Sequence, residues 1–275
     1  MFSFVRKCVL ATVLALLAGN VFAREEYNGP WEKFRISVGG FTTQSDTTLQ
    51  INSGSLGVGA VVDLEDALGV ERGFSTYRID AGYQLGATRR HQIEFHYFDA
   101  KRSGTKSLDE QVEIGDEVFP IGASVDTEFR LRFVNFDYVY NFLMDDRVRL
   151  GASIGLHTTR VGLKVESGDL GLLEDEAFTA PLPMLGLRAD VILAPKWRLK
   201  TDINLFYLEY DGYTGRLGDS YLGVEYLPFK HFGLGAGLNV VNYRIEADSD
   251  APGTDLNGEL EFQLTGFMLY GKYFF

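Results

Sequence analysis

The stretch VRLGASIGLH, Val148 to His157, alternates without a break. Val148, Leu150, Ala152, Ile154 and Leu156 are apolar, and Arg149, Gly151, Ser153, Gly155 and His157 fall between them. Successive side chains of a β-strand point to opposite faces, so a period of two reads as a strand with one apolar face. The pattern recurs. Tyr77–Leu85, Val134–Phe142, Leu185–Val191, Leu199–Tyr207 and Phe232–Val240 each set apolar residues against polar, charged or glycine residues.

The connections between these strands are uneven. Gly86–Arg90, Met144–Asp146, Ala194–Lys196 and Pro228–Lys230 are tight, whereas 44–72, 104–122, 166–179 and 247–257 are long and polar, and 211–216 is short. Short turns on one rim and longer loops on the other are the grammar of a transmembrane β-barrel. Counting them gives ten strands over 34–43, 73–85, 91–103, 123–143, 147–165, 180–193, 197–210, 216–228, 231–246 and 258–275. Each reaches the roughly 9–11 residues that a tilted membrane strand needs. Thr47–Ile51 and Val58–Asp63 are β-prone and would add either a hairpin above the membrane or another strand pair, so eight and twelve strands stay open as alternatives.

A β-sandwich would alternate too, but its charged faces would meet water and need no balance. A barrel in lipid encloses its polar face, and enclosed charge must be paired. The inferred inner face carries Arg35, Arg78, Arg149, Arg188, Arg198, Lys200 and Lys272 against Asp80, Glu94, Asp137, Asp190, Asp202 and Glu225. These nearly cancel. The acidic excess lies in the long connections 44–72, 104–122, 166–179 and 247–259, which carry −4, −4, −5 and −4. Tyr138, Tyr140, Phe142, Trp197 and Trp31 sit where an interfacial aromatic girdle is expected.

At the N-terminus Arg6 and Lys7 precede an apolar run, Cys8–Ala18, and Val21-Phe22-Ala23 offers a cleavage site. This reads as a signal peptide over 1–23, too short for a spanning helix and without the cysteine placement of a lipoprotein. The barrel domain is then 24–275, free of cysteine, with a net charge of −14 once Arg6 and Lys7 are removed. Such acidity argues against a nucleic-acid partner.

The sequence finishes LYGKYFF, with Phe267, Leu269, Tyr273 and Phe275 in phase on one face. With the signal ending and the repeated strands, this resembles the Gram-negative outer-membrane β-barrel proteins, small barrels of the outer-membrane protein A type among them. The likeness is one of architecture over the whole of 24–275. It implies an outer-membrane location, contact with membrane lipid and lipopolysaccharide, and an assembly signal at Tyr273 and Phe275 that the barrel-assembly machinery reads.

Sites for chemistry are sparse. His96 and His157 are the histidines expected on inner strand faces, but they fall on non-neighbouring strands, and no HExxH or CxxC spacing supports a metal. His157 and Thr158 would share a face only through a bulge, for which the phase flip between Leu156 and Val161 leaves room. DSDAPGTDLNGE, Asp248 to Glu259, partly matches a calcium loop, with Asp248, Asp250 and Glu259 as ligands. It departs from the pattern at Pro252 and in its flanking strands, so at most a weak calcium site is expected. VDLEDALG, Val62 to Gly69, reads as a short helix capped by Asp63 and ended by Gly69. Gly57-Val58-Gly59 lacks the third glycine of a phosphate loop. Gly233, Gly235 and Gly237 share one face, either as a groove or as room for bulky neighbours such as Tyr270.

The sequence therefore predicts an all-β, ten-stranded antiparallel barrel with a charge-paired, largely filled interior, a structural or surface-interaction role, and no assigned catalytic residue or cofactor. A narrow passive channel and a barrel enzyme acting on lipid or peptide are the alternatives.

Overall fold

The computed structural model describes residues 30–51, 62–114, 117–210, 213–247 and 258–275. Ten long antiparallel strands form the wall: β1 (Phe34–Ile51), β3 (Gly73–Leu85), β4 (His91–Ser107), β7 (Ser124–Met144), β8 (Val148–Ser167), β9 (Leu172–Ala194), β10 (Trp197–Tyr210), β11 (Tyr213–Tyr226), β12 (Phe232–Ala247) and β13 (Gly258–Phe274). Each pairs with its neighbour in sequence, and β13 pairs back onto β1 from Arg35↔Phe274 to Ile51↔Gly258. The sheet closes on itself, as a strand structure in lipid requires, although toward the far rim β9 outruns its pairing with β10, which ends at Leu205↔Leu185.

The four tight turns all lie on one rim. There the Phe275 carbonyl accepts hydrogen bonds from the amides of Lys33 and Phe34. The strands run longer than the sequence predicts toward the other rim. The connection 166–179 is mostly strand, with a turn over 168–171, and β1 continues to Ile51. The reason lies in the side chains. On β7, Val134, Phe136, Tyr138, Tyr140 and Phe142 point out, and Asn135, Asp137 and Asn141 point in. Farther along the same strand the order inverts: Asp126, Glu128, Arg130 and Arg132 point out, and Val125, Phe129, Leu131 and Phe133 are buried inside. β8 inverts in the same way, from His157 to Val161, Leu163 and Val165 within. Its register against β7 runs unbroken from Asp126↔Glu166 to Asn141↔Gly151. The phase flip is therefore no bulge. It marks the height at which hydrocarbon outside the wall gives way to water.

Among the described residues the β-prone segments of the first connection add no pair of wall strands: Thr47–Ile51 continues β1, and 58–61 lie outside the described residues. β2 (Val62–Asp63) pairs with Thr48 and Leu49 of β1, and the helix α1 (Leu64–Leu68) follows. Asp63 caps it by accepting the Asp66 amide at 2.7 Å, and Gly69 ends it at φ 69°. Leu64 and Leu68 are buried on the apolar cluster of the outer half of the barrel. The cap backs closely onto β4: a side chain at Gly104 would meet the Gly69 carbonyl at 1.9 Å. A second small hairpin, β5 (Val112–Ile114) and β6 (Glu117–Phe119), buries Val112 and Phe119 in the same cluster. The motif Gly57-Val58-Gly59 lies outside the described residues.

Closure can be tested by cross-linking. Thr42 and Phe267 are direct partners across the β1–β13 seam, at the Cα spacing that antiparallel partners share with disulfides. In the cysteine-free chain 24–275, T42C/F267C should oxidise to a single intramolecular cross-link without altering heat-modifiable gel migration. Failure to oxidise in folded protein would place the seam elsewhere.

Candidate functional site: the filled lumen

The lumen is built in three layers. At the tight-turn rim, the segment before β1 folds inward. Trp31 is 1% exposed, donates from Nε1 to the Asp145 carbonyl at 2.7 Å, and lies beneath the guanidinium groups of Arg149 and Arg198, 4.8 and 5.3 Å from its ring. The sequence-based expectation put Trp31 in the interfacial girdle, and this is corrected: it plugs the barrel from inside. An indole between two inward arginines gains cation–π contact that a lipid-facing position would not provide. The neighbouring Glu32 also turns in. It accepts from Lys272 Nζ at 2.6 Å and from Arg198, and Lys272 donates to Glu225 at 2.7 Å as well. Tyr270 donates to Glu225 at 3.0 Å and receives the Tyr221 hydroxyl at 3.2 Å.

The middle layer holds the charges expected on the inner face. Glu94 is the hub: Arg35 donates to it, Arg188 does so at 3.0 Å and Gln92 at 2.6 Å. Arg149 pairs with Asp190 at 2.7 Å, Arg78 with Asp80 at 2.8 Å and Lys200 with Asp202 at 3.3 Å. Alternation explains why these residues share a surface: the ladder partners Arg149↔Asp190, Lys200↔Asp190 and Glu94↔Asp137 face one another inside the closed sheet.

His96 and His157 are brought together more closely than their strands imply. Asp137 of β7, the strand between them, lies 3.1 Å from His157 Nε2 and 3.8 Å from His96 Nε2. His96 Nδ1 also meets Asp80 at 2.6 Å. The histidine hydrogen bonds thus go to carboxylates, not to a hydroxyl nucleophile. His157 is buried on the inner face, with Thr159 as its in-phase neighbour. Beside the two histidines is an internal cavity of about 40 Å³, bounded by Arg78, Asn135, Asp219 and Asn239 below and by Phe98, Phe133 and Phe262 above. That is room for a few water molecules.

The third layer is apolar. Phe41, Phe98, Phe129, Leu131, Leu163, Met184, Tyr243, Ile245 and Phe262 fill the lumen beyond the membrane, under α1 and the β5–β6 hairpin. A buried latch fixes the helix: Arg102 donates to Glu65 and, at 2.5 Å, to Thr47, while the Glu65 carboxylate accepts the Thr47 amide at 2.9 Å. The glycine face of β12 is no groove. A side chain at Gly235 would strike the Tyr270 ring at 2.0 Å, and one at Gly237 would strike Tyr221 at 2.5 Å.

Outside, Ile93, Phe136, Ile154, Leu187, Leu205, Leu234 and Leu269 are exposed in a continuous apolar belt, edged on the turn rim by Tyr140, Phe142, Trp197, Phe232 and Tyr273. Trp197 packs against Tyr226 in a tilted arrangement, with centroids 4.7 Å apart. An apolar exterior around a charged interior is an inside-out protein, stable only in lipid. No protein-family model matches the chain, and no curated protein is similar to it by sequence. Solved structures are similar in shape. The outer-membrane protease OmpT of Escherichia coli superposes with a TM-score of 0.55 at 10% identity, over 94% of this chain and 99% of that one. The chain has the outer-membrane β-barrel fold. Weaker superpositions are found with Ail, the attachment invasion locus protein of Yersinia pestis (TM-score 0.39, 11% identity, 88% of this chain and 99% of that one), and with Neisserial surface protein A (0.35, 13%, 87% and 97%).

In this outer-membrane barrel the sequence-predicted site residues are scattered. Tyr273 and Phe275 are exposed at the tight-turn rim, whereas Phe274 and Lys272 turn inward. Glu259 forms an ion pair with Arg244 at 2.8 Å, and Asp248 and Asp250 lie outside the described residues. Trp31 and Glu32 were missed as interior groups because they precede the alternating strand and have no phase of their own.

The Glu94 hub yields a stability prediction. Removing one partner of a buried ion pair leaves uncompensated charge and costs about 3–5 kcal/mol. E94L should lower unfolding stability in detergent by that order, and adding R35M and R188M should recover part of the loss. Equal stability of E94L and the parent in denaturant titration would show that the hub contributes nothing.

Proposed function

We propose that the protein is an integral outer-membrane barrel with a closed, charge-paired lumen, serving a structural or surface-interaction role and not solute passage. One observation carries this reading: beyond the paired charges, the outer half of the lumen is a packed apolar core under α1 and the β5–β6 hairpin. An aqueous channel needs a continuous polar path, and here any such path would end against Phe98, Phe129, Phe133 and Phe262. The same packing leaves His96 and His157 without access for a lipid or peptide substrate, so the OmpT likeness is taken for fold alone. Membrane lipid and lipopolysaccharide are the partners that fit the apolar belt, and the surface available for other contacts is the acidic outer rim.

Reconstitution into planar bilayers tests the reading. The intact chain 24–275 should give no steady current. A stable, ohmic conductance step would overturn the closed lumen and favour the narrow channel.

The seam residues should also matter for biogenesis. The Phe275 ring is 55% exposed on the lipid face and lies 5.2 Å from the ring of Phe34. Phe274 packs inward, with Lys272 Nζ 5.5 Å from its ring. If the machinery reads the outward aromatics, Phe275→Ala should reduce membrane-inserted protein several-fold more than Phe274→Ala. Equal levels of the two would remove Phe275 as the signal.

A further inference from the structure

Just above the apolar belt, the outer wall carries charge of the wrong sign for so acidic a chain. Lys101 of β4, Arg130 and Arg132 of β7, and Arg160 and Lys164 of β8 form one field. Arg132 stands directly opposite Arg160 across the β7–β8 ladder, and Arg130 opposite Lys101 across β4–β7. Like charges placed opposite each other on one sheet face are destabilising, so folding alone does not call for this arrangement. The carboxylates present offset part of it. Asp99 accepts Arg130 at 2.8 and 3.0 Å and Arg132 at 3.0 Å. The Arg130 hydrogen bond foremost, with Arg132, holds the Asp99 carboxyl below its ordinary range. Glu128 pairs with Lys101 at 2.6 Å and Glu166 with Lys164 at 2.9 Å. Arg160 is exposed and has no ion-pair partner among the described residues.

These side chains surround a real depression. A recess of about 330 Å³ is walled by Glu128, Arg130, Arg132, Arg160 and Lys164, and Gly162 and Ala177 leave its floor without long side chains. Asp99 ties Arg130 and Arg132 in place from the far side, which lowers the ordering cost of using their free donors. Guanidinium forks match phosphate oxygens in pairs, and an ammonium adds a point charge. The height of the recess identifies the source of the phosphate. Val134 and Phe136 on β7 and Leu156 on β8 are the next outward residues toward the hydrocarbon after Arg132 and Thr158. The recess therefore faces the bilayer sideways at headgroup level and does not open on the barrel mouth.

We propose that this recess binds the phosphorylated headgroup of an outer-leaflet lipid, with Arg160 and Lys164 engaging the phosphate and Asp99 positioning Arg130 and Arg132 beside it. The proposal rests on the membrane-barrel reading above but not on the closed lumen. Basic residues gain from the potential of an anionic lipid surface, and a lipid confined to the leaflet meets the site at high effective concentration.

The test uses chain 24–275 in phosphatidylcholine nanodiscs doped with bisphosphorylated lipid A or with its dephosphorylated form, followed by delipidating washes and mass spectrometry of retained lipid. The parent should retain the phosphorylated form alone. R160Q/K164Q should reduce retention at least tenfold, and R216Q/R244Q, which removes cations from β11 and β12, should leave it unchanged. A177E, which fills the recess without removing a cation, should mimic R160Q/K164Q and stands in for it if that variant misfolds; heat-modifiable migration reports folding in each case. Equal retention of both lipids, unchanged retention in R160Q/K164Q and A177E, or displacement of the lipid by millimolar inorganic phosphate would each overturn the proposal. A pore current alongside selective retention would sink the closed lumen and leave this site standing.

Discussion

Each long strand of this wall passes through two solvents, and that change of medium governs the rest of the structure. Within hydrocarbon, an outward side chain must be apolar and an inward one is free to be charged. In water beyond the membrane the preference reverses. β7 obeys both rules along one unbroken ladder: Phe142 to Val134 face lipid, then Arg132 to Asp126 face water, while Asn141, Asp137 and Asn135 give way to Phe133, Leu131 and Phe129 inside. The apolar core of this protein is therefore not in the membrane. It lies above it, and there the hydrophobic effect works as in a soluble β-domain.

The membrane half must be held by other means. Its interior is charged, and desolvation makes each charge costly unless it is partnered. The chain answers with shared partners: Glu94 serves Arg35 and Arg188, Glu32 serves Lys272 and Arg198, and Asp137 lies between His157 and His96. Glycine makes room for the bulkiest polar groups, as at Gly235 beneath Tyr270. Trp31 closes the turn rim, and α1, held by the Arg102–Glu65 pair, helps to close the other. The small cavity beside the histidines lies where the polar and apolar layers meet.

Much of this was legible in the sequence. The ten strands, the four tight turns, the inward charges and the capped helix at Leu64–Leu68 follow from period two, from turn chemistry and from Asp63 and Gly69, all of which are local signals. The strand ends were not legible. A phase flip such as Leu156 to Val161 reads equally as a bulge, a strand end or a change of medium, and only the pairing of Arg160 with Arg132 resolves it. The same ambiguity turned 166–179 into a loop. Trp31 and Glu32 escaped because their partners, Asp145, Arg198 and Lys272, are more than a hundred residues away and no spacing encodes them. The basic recess escaped because it gathers charged residues of β7 and β8 that are unremarkable one strand at a time.

The two-solvent wall is most directly tested by scanning single cysteines along the outward face of β7 in the otherwise cysteine-free chain 24–275. A fluorescent label at 128, 130, 134, 136 or 138 is exposed in turn to iodide in water and to a quencher attached to lipid chains. Labels at 134, 136 and 138 should be quenched from the lipid and labels at 128 and 130 from water, with the crossover between 130 and 134. Lipid quenching that persists through 128, or iodide quenching that reaches 136, would contradict the placement of the water boundary and with it the origin of the apolar outer core.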